Sequence, residues 1–285
     1  MLSTRRVRSL RERLLSVQIW SDGVALPVPQ GSRDYLEFHA SRYEFTRRAI
    51  LAELKGDERV LEIGPSPWLA ATILQDRPRL RWESVTGAYP LDASPLERRE
   101  ERVEVELGGQ RFAWTSQRGV NVEVDPLPYP DQGFELVIFL EVIEHLIHDP
   151  VWALREIARV LAPGGLLVLS TDNANNFVKL LKLLTRRSIY HPLPVRSFGE
   201  RHHREYLPHE LLDLLEGIGY RDLRVETFNH LPILPEDDRA KSLAYRCGNA
   251  LTTLPPLRYL RRHVLVLGRK GEARDYRPDW LFFSE

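Results

Sequence analysis

Cysteine is nearly absent: Cys247 is the single one among 285 residues. That excludes an intrachain disulfide framework and a cysteine-built zinc site, and it fits a reducing compartment such as the cytoplasm. Long apolar runs are also missing, since no stretch reaches the roughly 18 residues that a bilayer-crossing helix needs. Nor does charge of one sign dominate. The 40 basic and 40 acidic side chains cancel, so no global field argues for nucleic acid or an anionic membrane surface, although a local basic patch stays open. The first residues, Met1 to Trp20, scatter arginines through an amphipathic pattern without the continuous apolar core of a secretory signal. An ordinary surface helix is the reading there, with an organellar transit peptide as the alternative. No internal repeat or low-complexity tract suggests a solenoid or a biased tail.

What is present is organised around Asn121 to Leu146, NVEVDPLPYPDQGFELVIFLEVIEHL. The unbroken apolar run Leu136 to Leu140 lies between a Pro-punctuated loop and a carboxylate-rich helix start, which suits a strand buried on both faces. Polar groups just past the carboxyl end of such a strand lie where open α/β sheets bind ligands. Strands and helices alternate around it. A helix is expected over about Asp34 to Leu54, with Tyr35, Phe38, Tyr43, Ile50 and Leu54 facing inward. Strands follow at Arg59 to Ile63 and Trp82 to Thr86, with a helix from about Leu69 between them. Gly108-Gly109 sits between two alternating segments, which is a hairpin signal. A helix then opens at Asp149-Pro150 and stops at Ala162-Pro163-Gly164-Gly165, ahead of a strand at Leu166 to Ser170. Helices over Asn173 to Tyr190 and Leu207 to Gly217 and strands at Leu223 to Phe228 and His263 to Leu267 complete the pattern.

This alternation implies an α/β fold with a doubly wound sheet and helices on both faces, and the late strand pair allows one antiparallel edge strand. The expected organisation is an N-terminal helical extension over residues 1–55, a core domain over 56–270 and a C-terminal tail over 271–285. Within the core, a β-hairpin insertion is expected at about 88–119 and a candidate lid at about 173–206.

The motifs resemble the class I S-adenosylmethionine-dependent methyltransferases, in particular a bacterial subgroup like methyltransferase type 11. The resemblance rests on Val60-Leu61-Glu62-Ile63-Gly64, Leu127-Pro128-Tyr129-Pro130-Asp131, Phe134-Glu135-Leu136-Val137, Glu141-Val142-Ile143-Glu144-His145-Leu146 and Leu161-Ala162-Pro163-Gly164-Gly165. Together these cover roughly Arg59 to Ser170 in the right order, which is far more specific than a lone glycine motif. Arg201 to Tyr206, RHHREY, is similar to bacterial members loosely associated with glycan and secondary-metabolite modification. The resemblance implies a Rossmann-like, seven-stranded, mostly parallel sheet, and S-adenosyl-L-methionine as cofactor. It also implies methyl transfer, with O-methylation of a small molecule or a sugar in a glycan precursor as the expected reaction.

Carried over residue by residue, the resemblance puts Glu62 on the cofactor's ammonium and Gly64 and Ser66 in the turn that approaches it. It puts Glu123, with Asp125 in reserve, on the adenine amino group and Glu141 near the methionine end. A tight turn running into a helix start suits this, because backbone N–H groups there favour negative charge. Two departures stand out. Ser66 and Trp68 replace the family's second and third glycines, and the second strand ends in Thr86-Gly87 with only the distant Asp92 to replace an acidic ribose contact.

For a hydroxyl acceptor a base is useful, and His145 is the first candidate, with His202 and His203 behind it. Each has a plainer alternative as a cap, a packing group or a solvated loop histidine. No metal is expected. The alternative is a manganese-dependent RNA 2′-O-methyltransferase: Glu141, Glu144 and His145 would share a helix face and, with His202 or His203, resemble the metal site of those enzymes. A third reading is a methyltransferase-like scaffold without activity, motivated by the altered glycines. A dinucleotide dehydrogenase fits less well, lacking the Gly-rich turn and acidic strand end.

Overall fold

Period-two alternation sorts the central strands into two buried faces, and the computed structural model, which describes residues 4–21, 24–87, 98–190, 202–229 and 246–282, shows what covers each. The strands are β1 (Gln18–Ser21), β2 (Val24–Leu26), β3 (Arg59–Ile63), β4 (Arg81–Gly87), β5 (Arg99–Leu107), β6 (Gln110–Val120), β7 (Phe134–Leu140), β8 (Leu161–Asp172), β9 (Tyr220–Phe228) and β10 (His263–Lys270). The helices are α1 (Thr4–Ser16), α2 (Gln30–Glu53), α3 (Pro67–Asp76), α4 (Pro150–Val160), α5 (Phe177–Leu184) and α6 (Pro208–Ile218). Leu61, Val137, Phe139 and Leu167 pack with Leu154 of α4 and Leu214 of α6 on one face. Val60, Leu136, Ile138 and Val168 pack with Leu14, Ile50 and Ile73 of α1, α2 and α3 on the other. Helices therefore cover both faces, as a buried parallel sheet requires.

The sheet has ten strands in the order β2-β1-β5-β6-β4-β3-β7-β8-β10-β9, which corrects the expectation of seven. From β6 to β9 it does contain seven, and the last in sequence, β10, is antiparallel to both neighbours. It is not an edge strand: it is inserted between β8 and β9, so the expected antiparallel edge is also corrected. The Gly108-Gly109 hairpin forms between β5 and β6. It is no excursion, because β6 pairs parallel with β4 and belongs to the core sheet, while β5 extends that sheet by pairing with β1. Of the stretch assigned to this insertion, residues 88–97 lie outside the described residues, as does the distal Asp92.

Caps fix where helices begin. Asp149 Oδ1 accepts from Trp152 N at 3.0 Å, with Pro150 in the first turn of α4, and Ser66 caps α3 ahead of Pro67. The helix expected over Asn173 to Tyr190 is shorter, with α5 ending at Leu184. The helix expected at Glu141 to Leu146 does not form. Glu141 adopts φ +54° and only a single 3-10 turn, Ile143–His145, follows. No helix among the described residues is long and apolar enough to cross a membrane.

Candidate active site

The turn after β3 is built on one glycine. Gly64 has φ +71°, and a Cβ placed there would lie 2.5 Å from Val142 Cγ2, so no other residue fits without movement. Its N–H donates to Val85 O at 3.0 Å. Ser66 then takes over where the family's second glycine would stand. Its N–H donates to Glu62 Oε1 at 3.0 Å and its hydroxyl donates to Tyr43 OH at 3.2 Å. The same hydroxyl accepts from Leu69 N, so the serine is a helix cap. Trp68 sits in the first turn of α3, where it forms part of a wall without filling the space beside it.

That space is a hollow of about 420 Å³ at the carboxyl ends of β3, β7 and β8, closed on one side by α2. Tyr35, Arg42, Glu62, Gly64, Trp68 and Glu141 are on its walls. Glu62 is 2% exposed, and its Oε2 has no hydrogen-bond partner; the Trp82 indole lies near without reaching normal geometry. Burial pushes the Glu62 carboxyl up to about 8, against the opposing Ser66 N–H. Glu141 is the contrasting acid. Its Oε2 accepts from Arg42 Nη1 at 2.7 Å and its Oε1 from Ser170 Oγ at 2.6 Å. Burial alone would raise it, but Arg42 and then His263 hold it down at about 2. Arg42 also donates to the Tyr35 hydroxyl. A larger hollow of about 610 Å³, between α6, β9 and the 3-10 segment Pro255–Leu260, contains none of the expected site residues.

Behind Glu141 lies a second polar cluster. Because the expected helix is replaced by one 3-10 turn, the presumed shared face is broken: Glu141 turns to Arg42, Glu144 accepts from Thr171 Oγ1 at 2.8 Å, and His145 meets the His202 ring edge-on at 4.9 Å. Glu144 is fully buried; burial, then Glu141, hold its carboxyl well above the usual carboxylate range. One ligand atom each of Glu144, His145 and His202 falls within 4.8 Å of the others. His202 Nδ1 lies 3.4 Å from Glu205 and 3.7 Å from Asp172. Asp172 in turn is 3.0 Å from His263 Nδ1. His203 is drawn in through its backbone, which donates to Glu144 O at 2.7 Å, while its side chain is exposed.

The structure thus brings Glu62, Gly64, Ser66 and Glu141 around one hollow and places His145 beside His202. It does not bring Glu123 or Asp125 there. Glu123 is buried, and its Oε1 accepts from His148 N at 2.5 Å and Asp149 N at 3.0 Å, fixing the approach to α4. Asp125 accepts from Asn121 N and pairs with Arg98. Sequence reasoning missed Arg42, Tyr43, Asp172 and His263. Nothing local flags Arg42, which is 99 positions from its partner. His263 opening an apolar strand was the one available hint.

A doubly wound sheet with a buried acid and a glycine turn at its carboxyl edge defines a Rossmann-like binding site for a small cofactor. Residues 35–225 match the methyltransferase domain family, and the chain belongs to it, among the class I S-adenosylmethionine-dependent methyltransferases. S-adenosylmethionine is the cofactor of this family. The residues fit it: an unpartnered buried carboxylate oxygen suits an ammonium, and a turn that a Cβ would fill suits close backbone approach. A protein of Mycobacterium tuberculosis, named as a probable S-adenosylmethionine-dependent methyltransferase, is 36% identical over 112 residues, 39% of this chain and 36% of its own length. This chain therefore spans about a third of that relative. A ubiquinone biosynthesis O-methyltransferase of Pseudomonas putida is 29% identical over 181 residues, 61% of this chain and 70% of its own. A solved S-adenosylmethionine-dependent methyltransferase of Archaeoglobus fulgidus is 17% identical with a TM-score of 0.47, covering 83% of this chain and 99% of that one.

Proposed function

We propose that this chain methylates an oxygen of a small molecule or of a sugar in a glycan precursor, with S-adenosylmethionine as donor. The observation that carries the reading is Glu62: a buried acid, one oxygen tied to the glycine turn and the other without a partner, on the wall of the hollow. The similarity to proteins named as ubiquinone biosynthesis O-methyltransferases supports an oxygen acceptor. When bound, the cofactor supplies a methyl group activated by a sulfonium. The chain's own task is then alignment, exclusion of water and removal of the acceptor's proton. Glu62 holds the ammonium, and Gly64 and Ser66 keep the turn close. Glu141, ionised and clamped by Arg42 and Ser170, faces the methionine end.

His202 is the better-placed base, because Asp172 and Glu205 flank its Nδ1 and orient the ring. His145, in ring contact with it, is the second, and His203 the third. Calorimetry with S-adenosylmethionine tests the cofactor site. Binding, followed by a mass gain of one methyl group on a hydroxylated acceptor, supports the proposal; no heat at millimolar cofactor favours the inactive scaffold. One observation favours a metal-assisted variant of the reaction, the convergence of Glu144, His145 and His202. Dependence of turnover on added manganese, lost in Glu144→Gln, would support it and with it the RNA 2′-O-methyltransferase alternative.

A further inference from the structure

Beyond β8, α5 is an amphipathic helix that buries none of its residues. Leu183 and Leu184 are 57% and 74% exposed, with Leu180 and Leu181 at 41% each. The helix does not stand alone. A Cβ on Gly248 would lie 2.6 Å from the Phe177 ring, so residues 246–262 pack beside it, and Asn173 Nδ2 ties the two together through Tyr259 O and Arg261 O. Leu254 and Tyr259 of that second segment are 52% and 51% exposed, extending the apolar surface. Monomeric proteins seldom leave so many large apolar side chains together in water.

The charge of this surface is one-sided. Residues 177–190 and 246–262 each carry four basic side chains and no acidic one, in a chain whose 40 basic and 40 acidic groups cancel overall. Lys179 is used internally, by Glu205. Arg186 and Arg187 are exposed at the end of α5, next to the leucines. Leucines interleaved with basic residues on a short helix match the boundary between acyl chains and anionic headgroups, where apolar burial and headgroup attraction act together.

We propose that this surface docks on an anionic phospholipid bilayer. The helix leaves β8 at the same carboxyl edge of the sheet that carries the hollow. Docking would turn that edge toward the lipid. Docking through this surface requires neither a particular acceptor nor methyl transfer.

The single cysteine makes a direct test possible, because Cys247 is exposed within this surface. The full chain, labelled there with an environment-sensitive fluorophore, is mixed with vesicles of phosphatidylcholine alone or of phosphatidylcholine with phosphatidylglycerol. A blue shift and co-sedimentation with the anionic vesicles, weakened by salt, are expected. Each basic side chain near such a surface contributes about a fivefold affinity change, so Arg186→Gln with Arg187→Gln should weaken binding about 25-fold. Leu183→Glu with Leu184→Glu should abolish it without lowering the melting temperature, both side chains being exposed. Equal binding to neutral vesicles, or none to anionic ones, overturns the proposal. So does the finding that the leucine variants convert a dimer to a monomer, which would make this face a contact between copies.

Discussion

Replacing Glu62 by glutamine should move stability and cofactor affinity in opposite directions. The carboxyl is 2% exposed and burial raises it to about 8 from the ordinary 4.5. A carboxyl raised in the fold prefers its proton there, so its ionisation costs stability that begins to appear above pH ~4.5 and is complete above pH ~8. The gap corresponds to ~5 kcal/mol as an upper, order-of-magnitude figure. Glutamine keeps the oxygen that accepts from Ser66 N and removes the charge. At pH 9 the cofactor-free variant should therefore melt higher than the parent, by up to roughly 10 °C for a chain of this size. At pH 4 the two should melt together. Affinity goes the other way. A hydrogen bond between charged groups is worth about 1.5–3 kcal/mol, so the variant should bind S-adenosylmethionine roughly 10- to 150-fold more weakly. Below pH 8 the parent should also release a proton on binding, seen as calorimetric heat that varies with the buffer's ionisation enthalpy; the variant should not. Unchanged affinity with a raised melting temperature would make Glu62 a buried acid with no ligand. Lower stability at pH 9 would make it a structural support.

Other outcomes follow from the same geometry. Gly64→Ala meets both φ +71° and Val142, and should lose about 1–2 kcal/mol together with cofactor binding; adding Val142→Ala relieves only the contact, so chemical denaturation should show partial recovery of stability. Arg42→Met leaves Glu141 buried without its cation and should cost about 3–5 kcal/mol in urea unfolding. In the Arg42, Glu141, Asp172 and His263 cluster, the depressed carboxylates contribute stability above pH ~4.5 and lose it as pH falls toward 2. His263, raised by Asp172 and then Glu141 against its burial, contributes below pH ~6.5 and loses that contribution as pH rises through its folded-state value. This cluster's own contribution should thus be greatest between about pH 4.5 and 6.5, on top of the fall that Glu62 causes from pH ~4.5 upward, and His263→Gln should flatten the part of the alkaline fall in melting temperature that Glu62→Gln leaves behind. Glu144→Gln, replacing a carboxyl whose burial favours the protonated form, should leave stability at pH ~4 within about 1 kcal/mol.

Local pattern was enough for most of the fold. Apolar runs of strand length, caps at Ser66 and Asp149 and the Gly108-Gly109 pair each act within a few residues, so strands β3, β7 and β8, helices α3 and α4, and the hairpin were legible. The glycine turn and Glu62 were legible for the same reason, since the strand, turn and helix that hold them are contiguous in the chain. Strand count and order were not. Nothing in Gln18–Ser21 announces that it will pair with β5, and the position of β10 inside the sheet depends on partners nearly a hundred residues earlier. Regular helix spacing after β7 also misled. It assumed 3.6 residues per turn where Glu141 takes a left-handed conformation, and so placed Glu141 with Glu144 and His145.

By itself, then, the amino-acid order determined an α/β chain with a glycine turn after β3, because those features arise between near neighbours. Only the folded molecule decided which charges meet: that Arg42 of α2 clamps Glu141, that Glu123 serves the backbone before α4, and that His145 finds His202. Those pairings join segments far apart in the chain, and the choice among many possible charged partners is made by burial. A buried charge keeps its ionisation only where packing delivers a counter-ion.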